Sequence, residues 1–144
     1  MSATFSVWSP GRVNLIGEHT DYTGGLAMPM AIDLGITLRG ERRDGRVVLR
    51  STDLPGELRV DAPPPTLNAI EVARIEPAWG RYVVAVGSEM ASSGLEPRGF
   101  IGSIESTLPV GSGLSSSAAL EVAAALALGA TGTPVEIAEL CQRA

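Results

Sequence analysis

Three observations predict a single domain that mixes strands and helices. The chain has 144 residues, enough for about one domain. Its first half carries period-two segments broken by Gly, Pro and Asp, and its last third carries apolar stretches long enough for helices. Apolar residues make up 44% and charged residues 19%, a globular composition rather than a disordered one. Aromatics are only 4%, so the core is predicted to be aliphatic. A mean hydropathy of +0.20 is high for a solitary soluble domain and predicts a face meant for a partner.

Taken in order, Thr4–Trp8 alternates like a half-buried strand that Ser9-Pro10-Gly11 stops, and Arg12–Ile16 reads as a short second strand. Residues 36–42 and 46–51 flank Asp44-Gly45, a strong hairpin signal. Residues 57–61 add a strand before Pro63-Pro64-Pro65, which reads as a surface loop rather than a domain linker. From Trp79 to Met90, Tyr82, Val83, Val86 and Met90 form a helical stripe, with Gly94 suited to its C-terminal cap. Gly99–Thr107 alternates as a strand, and after a Gly/Ser-rich turn Ala118–Leu128 is predicted helical. Thr133-Pro134-Val135-Glu136 spells a capping box with proline in the first helical position, opening a helix with no stop signal before Ala144.

Charge removes several function classes. The net charge is −5, and all eleven cationic residues are arginine. Without lysine there is no Walker-type phosphate loop and no Schiff-base chemistry. The acidic balance argues against a nucleic-acid surface or a polybasic membrane patch. One cysteine, Cys141, excludes a disulfide framework and a cysteine zinc site, and reads as a helix-packing residue. No basic-then-apolar leader opens the sequence, and no apolar run approaches the roughly 20 residues that span a bilayer. The expectation is a cytoplasmic protein with no membrane and no nucleic-acid partner. Trp8 and Trp79 read as core or rim residues rather than stacking platforms.

The most informative segment runs from Pro109 to Ala118, P-V-G-S-G-L-S-S-S-A, between a strand and a helix. Gly111 and Gly113 permit unusual backbone dihedrals and close approach of a ligand. Ser115, Ser116 and Ser117 bring hydroxyls and unpaired N–H groups to a helix N-terminus, where both the amides and the helix dipole favour an anion. A serine hydroxyl there suits a magnesium shell. A flexible turn with a serine cap and no ligand is the competing reading, and it stays open here. A dinucleotide fingerprint does not: the acidic residue expected about 20 positions on would fall at the start of a helix. A protein-kinase glycine loop lies between two strands and works with a lysine, so it fails as well.

Pro10 to Tyr22 carries Arg12, Glu18, His19 and Asp21 within ten residues. Carboxylates flanking an imidazole suit the hydroxyls of a polyol, and the planar fork of Arg12 suits a phosphoryl group gathering negative charge. A solvated loop, or a metal site of Glu18, His19 and Asp21, are the alternatives.

Together these two segments resemble the galactokinase branch of the GHMP small-molecule kinases. Pro10–Tyr22 is similar to that branch's N-terminal signature, Pro109–Ala119 to the superfamily's phosphate motif, and Leu26–Ile32 also looks related. The resemblance implies an α+β domain of the ribosomal-protein-S5-domain-2-like type, a mixed sheet backed by helices. It implies phosphoryl transfer from magnesium-bound ATP to the 1-hydroxyl of α-D-galactose. Position by position it makes Arg12 the catalytic, transition-state arginine and Glu18, His19, Thr20 and Asp21 the sugar-binding residues. Gly111, Ser112, Gly113, Leu114, Ser115, Ser116 and Ser117 become the triphosphate loop, with Ser117 at magnesium.

Members of the family are roughly two and a half times longer, so residues 1–144 are expected to form an N-terminal domain whose C-terminal partner domain is absent. The family's third, glycine-rich motif is absent too. Its acidic magnesium ligand and its catalytic aspartate are expected beyond Ala144, which predicts that residues 1–144 alone are inactive. Glu121 reads as a surface residue rather than a substitute base, and the insert Asp61–Glu76 gives no functional clue. A galactose- and ATP-binding sensor without turnover, or a kinase for a related sugar such as N-acetylgalactosamine, are the other readings.

Overall fold

A computed structural model describes residues 3–20, 23–62, 66–109 and 111–144. Among these residues five strands form one mixed sheet: β1 (Thr4–Ile16), β2 (Met28–Arg42), β3 (Arg46–Ser51), β4 (Glu57–Asp61) and β5 (Phe100–Ser106). Their spatial order is β1-β2-β5-β3-β4. All contacts are antiparallel except β3 with β5, which run parallel from Val47↔Phe100 to Ser51↔Ile104. Among the described residues four helices accompany the sheet: α1 (Ala69–Val72), α2 (Gly80–Ser92), α3 (Ser116–Leu128) and α4 (Pro134–Arg143). The expected α+β class, a mixed sheet backed by helices, is what the structure shows.

Strand alternation decides which face is covered. Leu38, Leu49, Leu58 and Phe100 point inward and are fully buried, while Arg39, Arg50 and Arg59 on the same strands face outward. Burying each of those inward side chains contributes about 1.5–3 kcal/mol relative to leaving it exposed. Opposite them lie Val83, Val84, Val86 and Met90 of α2 and the buried alanines 123, 124, 125 and 127 of α3. A helix lined by alanine comes close to its neighbours, so α3 can sit centrally against α2, β1 and β2. Phe5 meets Phe100 edge-on at 5.5 Å between centroids, and the Arg42 guanidinium lies 4.3 Å above the Phe5 ring. Arg42 also donates to the Ala127 carbonyl at the end of α3, next to the left-handed cap Gly129.

Two expectations are corrected. The stop foreseen at Ser9-Pro10-Gly11 is instead a bulge inside one strand, with a register shift between Pro10 and Arg12. β1 is an edge strand, so Pro10 needs no ladder partner on its outer side, and the bulge absorbs the irregularity. The hairpin foreseen at Asp44-Gly45 turns the chain, with Gly45 at φ +80°, but β2 and β3 do not pair. β5 lies between them, because Phe100 and Ile104 fill the core between Leu38 and Leu49. Local turn chemistry sets the reversal; burial sets the pairing.

Other elements match, except that β2 begins at Met28, well before the strand expected over residues 36–42. Helix α2 ends where Gly94 adopts φ +78°, and α4 begins with the Thr133/Glu136 capping box and Pro134. The foreseen Pro63–Pro65 loop lies outside the described residues. Helix α1 was not foreseen, although Asn68 and Glu71 form a capping box at its start.

Candidate functional site

The bulge in β1 brings the two informative motifs into contact. The Arg12 N–H donates to the Leu114 carbonyl at 3.1 Å. Beside it Gly11 is buried, and a Cβ there would meet Leu108 Cδ2 at 2.5 Å and the Leu114 carbonyl at 2.9 Å. Only glycine lets strand and loop approach so closely.

Within the loop, Gly111, Gly113 and Ser115 have φ of +72°, +70° and +59°. Left-handed residues alternating with ordinary ones turn successive amides toward one side, the geometry of an anion-binding nest. Both glycines would have open space around a Cβ, so their conformation and not crowding selects the residue type. Ser115 precedes α3 and makes no side-chain cap, and Ser116 and Ser117 are exposed. Among the described residues, then, no side chain occupies the first amides of this thirteen-residue helix, whose dipole adds positive potential at the same point.

The loop separates two concavities. One, of about 210 Å³, is lined by Ser9, Pro10, Arg12, Ser115, Ala118, Ala119 and Val122. The other, of about 400 Å³, lies on the far side against Gly111, Ser116 and Ser117 and is walled by Asp53, Leu54, Trp79 and Tyr82. Trp79 is oriented by its indole N–H, which donates to the Pro55 carbonyl at 3.1 Å. Asp53 accepts from the Ser106 amide at 3.0 Å. These residues were not identified from the sequence as a site. Trp79 there read as core or rim, and Asp53 belongs to no motif; only the placement of α2 beside the end of β5 assembles them.

Beyond β1, residues 17–20 are tied to residues 23–26. Thr20 makes the ties: its hydroxyl donates to Leu26 at 2.8 Å and to Gly17 at 3.1 Å, and its carbonyl accepts from Gly25 at 2.8 Å. Thr23 donates to the His19 carbonyl at 3.2 Å. The closed loop presents Glu18 and His19 at the surface, while Asp21 lies outside the described residues. Near it the apolar side chains of Leu15, Ile16, Leu26, Met28 and Met30 are exposed, Leu26 by 92%. This is the uncovered apolar face that the hydropathy led us to expect.

A divalent cation would find one serine oxygen at Ser117 beside the nest. Among the described residues no group of three His, Cys, Asp or Glu side chains stands ready to hold a metal. Ser117 fits a shell completed chiefly by phosphate oxygens. Among the described residues, no helix is long and apolar enough to cross a membrane.

The galactokinase galactose-binding signature matches residues 2–41, and the GHMP kinases N terminal domain matches residues 81–144. The galactokinases of Bos taurus and Streptomyces coelicolor are each 42% identical over 96% of this chain. The chain spans about 36% of the length of these curated relatives. The crystal structure of Lactococcus lactis galactokinase complexed with galactose superposes with a TM-score of 0.83 at 34% identity, covering 97% of this chain and 37% of that one. Methanococcus jannaschii mevalonate kinase gives 0.72 at 28% identity, over 96% and 45% of the two chains. The chain thus carries the galactokinase galactose-binding signature followed by a GHMP kinases N terminal domain match, in a stretch similar to the N-terminal part of galactokinases.

Proposed function

We propose that the protein carrying this chain is a cytoplasmic, ATP-dependent galactokinase that converts α-D-galactose to galactose 1-phosphate. The observation that carries this reading is the Arg12–Leu114 contact, which fixes the galactose-signature strand against the amide-rich loop. Phosphoryl transfer needs little covalent help from a protein; it needs an acceptor oxygen in line and charge stabilisation on the transferring group. In this reading the Gly111–Ser117 amides receive the triphosphate, and the cavity with Trp79 and Tyr82 receives the base of ATP. Arg12 lies on the opposite side of the loop, where its guanidinium meets the negative charge that builds up on the γ-phosphoryl. Glu18, His19, Thr20 and Asp21 orient the sugar, the carboxylates accepting from hydroxyls and the Thr20 tie holding the loop in shape.

A magnesium ion, when bound through Ser117 and the phosphates, would neutralise charge on the β- and γ-oxygens. The acceptor for the sugar hydroxyl proton and an acidic magnesium ligand are assigned to the part of the longer relatives that these residues do not span. In the same way, the exposed apolar face at Leu26 and Met28 is assigned to contact with that part.

The test is sugar 1-phosphate formation by the full-length protein, with galactose and N-acetylgalactosamine offered separately. Asp21→Ala should weaken galactose binding and leave ATP binding nearly intact, because stranded hydroxyls penalise the sugar alone. Binding of both ligands without turnover would identify a sensor instead. A nucleotide weakened with the sugar untouched would show that this cluster is misassigned.

A further inference from the structure

We propose that the outer face of the sheet is a docking surface for an acidic, extended peptide segment of a partner protein. This face lies away from the helices and shares no lining residue with either concavity of the phosphoryl site. It bears a groove of about 720 Å³. Five of the chain's eleven arginines line that groove, at positions 39, 43, 46, 50 and 59, against two carboxylates, Glu41 and Glu57. In a chain of net charge −5 that is a marked segregation of positive charge.

Register builds the groove. Arg39 on β2 pairs across to Ser103 on β5, and Ser103 pairs across to Arg50 on β3. Two strand spacings put the two arginine backbones about 10 Å apart, with a small residue between them, so their side chains wall a channel along β5. Its floor includes Ile101, 43% exposed, and the half-buried Val48. On the same face Trp8 is 54% exposed and stands opposite Thr37, diagonal to Arg39. Exposed Trp and Arg around an apolar strip are the residue types that dominate binding energy at protein interfaces.

The occupant follows from charge and shape. The arginines already take carboxylates: Arg39 pairs with Glu105 at 3.0 Å, and Arg50 and Arg59 share Glu57. Among the described residues neither Arg43 nor Arg46 has a carboxylate at ion-pair distance, which leaves guanidinium forks for an incoming acid. An extended segment alternating acidic and apolar side chains would place carboxylates on the walls and apolar groups on Ile101 and Val48. A nucleic-acid backbone fits less well, since its continuous phosphates bring no apolar groups to set on Ile101 and Val48.

The probe is a fluorescently labelled dodecapeptide of alternating Glu and Leu, followed by anisotropy with the full-length protein. We expect saturable binding that weakens about tenfold between 50 and 300 mM NaCl, as screening of exposed charges requires. It should be lost in R39E/R50E and weakened in R39Q/R50Q, with the circular dichroism of both variants unchanged; the Gln pair keeps the test valid if charge reversal beside Glu105 and Glu57 impairs folding. A Lys-Leu peptide should not bind. No saturable binding at 50 mM NaCl, undiminished binding by R39Q/R50Q, or equal competition by a DNA duplex would each overturn the proposal.

Discussion

The amide of Arg12 and the carbonyl of Leu114, 3.1 Å apart, join the strand of the galactose signature to the loop of the phosphate motif. One hydrogen bond of this kind contributes only about 1 kcal/mol to stability. Its greater effect is positional, because it registers the backbone at Arg12 against the loop that runs from Gly111 to Ser117. A displacement of about 1 Å between the two would weaken every interaction that depends on their common alignment.

Gly11→Ala tests that alignment. The new Cβ would fall within 2.5 Å of Leu108 and 2.9 Å of the Leu114 carbonyl, so strand and loop must part. Overpacking of this sort costs about 1–3 kcal/mol. Thermal unfolding of the full-length protein should shift down by several degrees, and kcat should fall more than stability alone explains. An unchanged melting temperature together with an unchanged kcat would show that the contact positions nothing.

Trp79→Ala tests the cavity on the other side of the loop. Removing an aromatic face from a base typically costs about 1–3 kcal/mol. The KM for ATP should therefore rise by about fivefold or more, while the KM for galactose stays nearly constant. Steady-state kinetics with each substrate varied separately separates the two. A raised galactose KM with an unaffected ATP KM would contradict the assignment of this cavity to the base of ATP.

How much of this was legible in the sequence depends on the range over which each signal acts. The capping box of Thr133 and Glu136, the turn at Gly45 and the inward alternation of β5 are local, and the structure reproduces them. The strand order was not legible. Asp44-Gly45 marks a reversal, but nothing near it records that Phe100 and Ile104 insert β5 between the strands it joins. The unusual backbone of the Gly111–Ser115 loop was legible because glycine marks left-handed positions locally. The cavity of Asp53, Trp79 and Tyr82 is built from segments remote in sequence, and no periodicity joins them.

Glu121 and Cys141 supply a pH-dependent prediction. Burial raises the Glu121 carboxyl above its ordinary value, and burial, followed by the Glu121 charge, raises the Cys141 thiol to about 11. Once pH exceeds the unfolded carboxylate's pKa of about 4.3, the unfolded chain gives up a proton that the folded one still holds. Stability attributable to Glu121 therefore declines from there as pH rises through its folded value. Glu121→Gln should raise the melting temperature at pH 7 and make no difference near pH 3.5. It should also speed alkylation of Cys141, measured by peptide mapping, although the thiol stays mostly protonated. A variant destabilised at pH 7 would mean that Glu121 forms a favourable contact instead of carrying a burial penalty.

The most direct measurement is the steady-state kinetics of Arg12→Ala in the full-length protein with galactose and ATP. If Arg12 stabilises charge that develops on the phosphoryl group, its interaction strengthens at the transition state, and kcat should fall by about 10²-fold or more while the galactose KM changes little. That loss corresponds to about 3 kcal/mol of transition-state stabilisation. An unchanged kcat with a raised KM would contradict the account, moving Arg12 from the reacting phosphoryl group to ground-state binding.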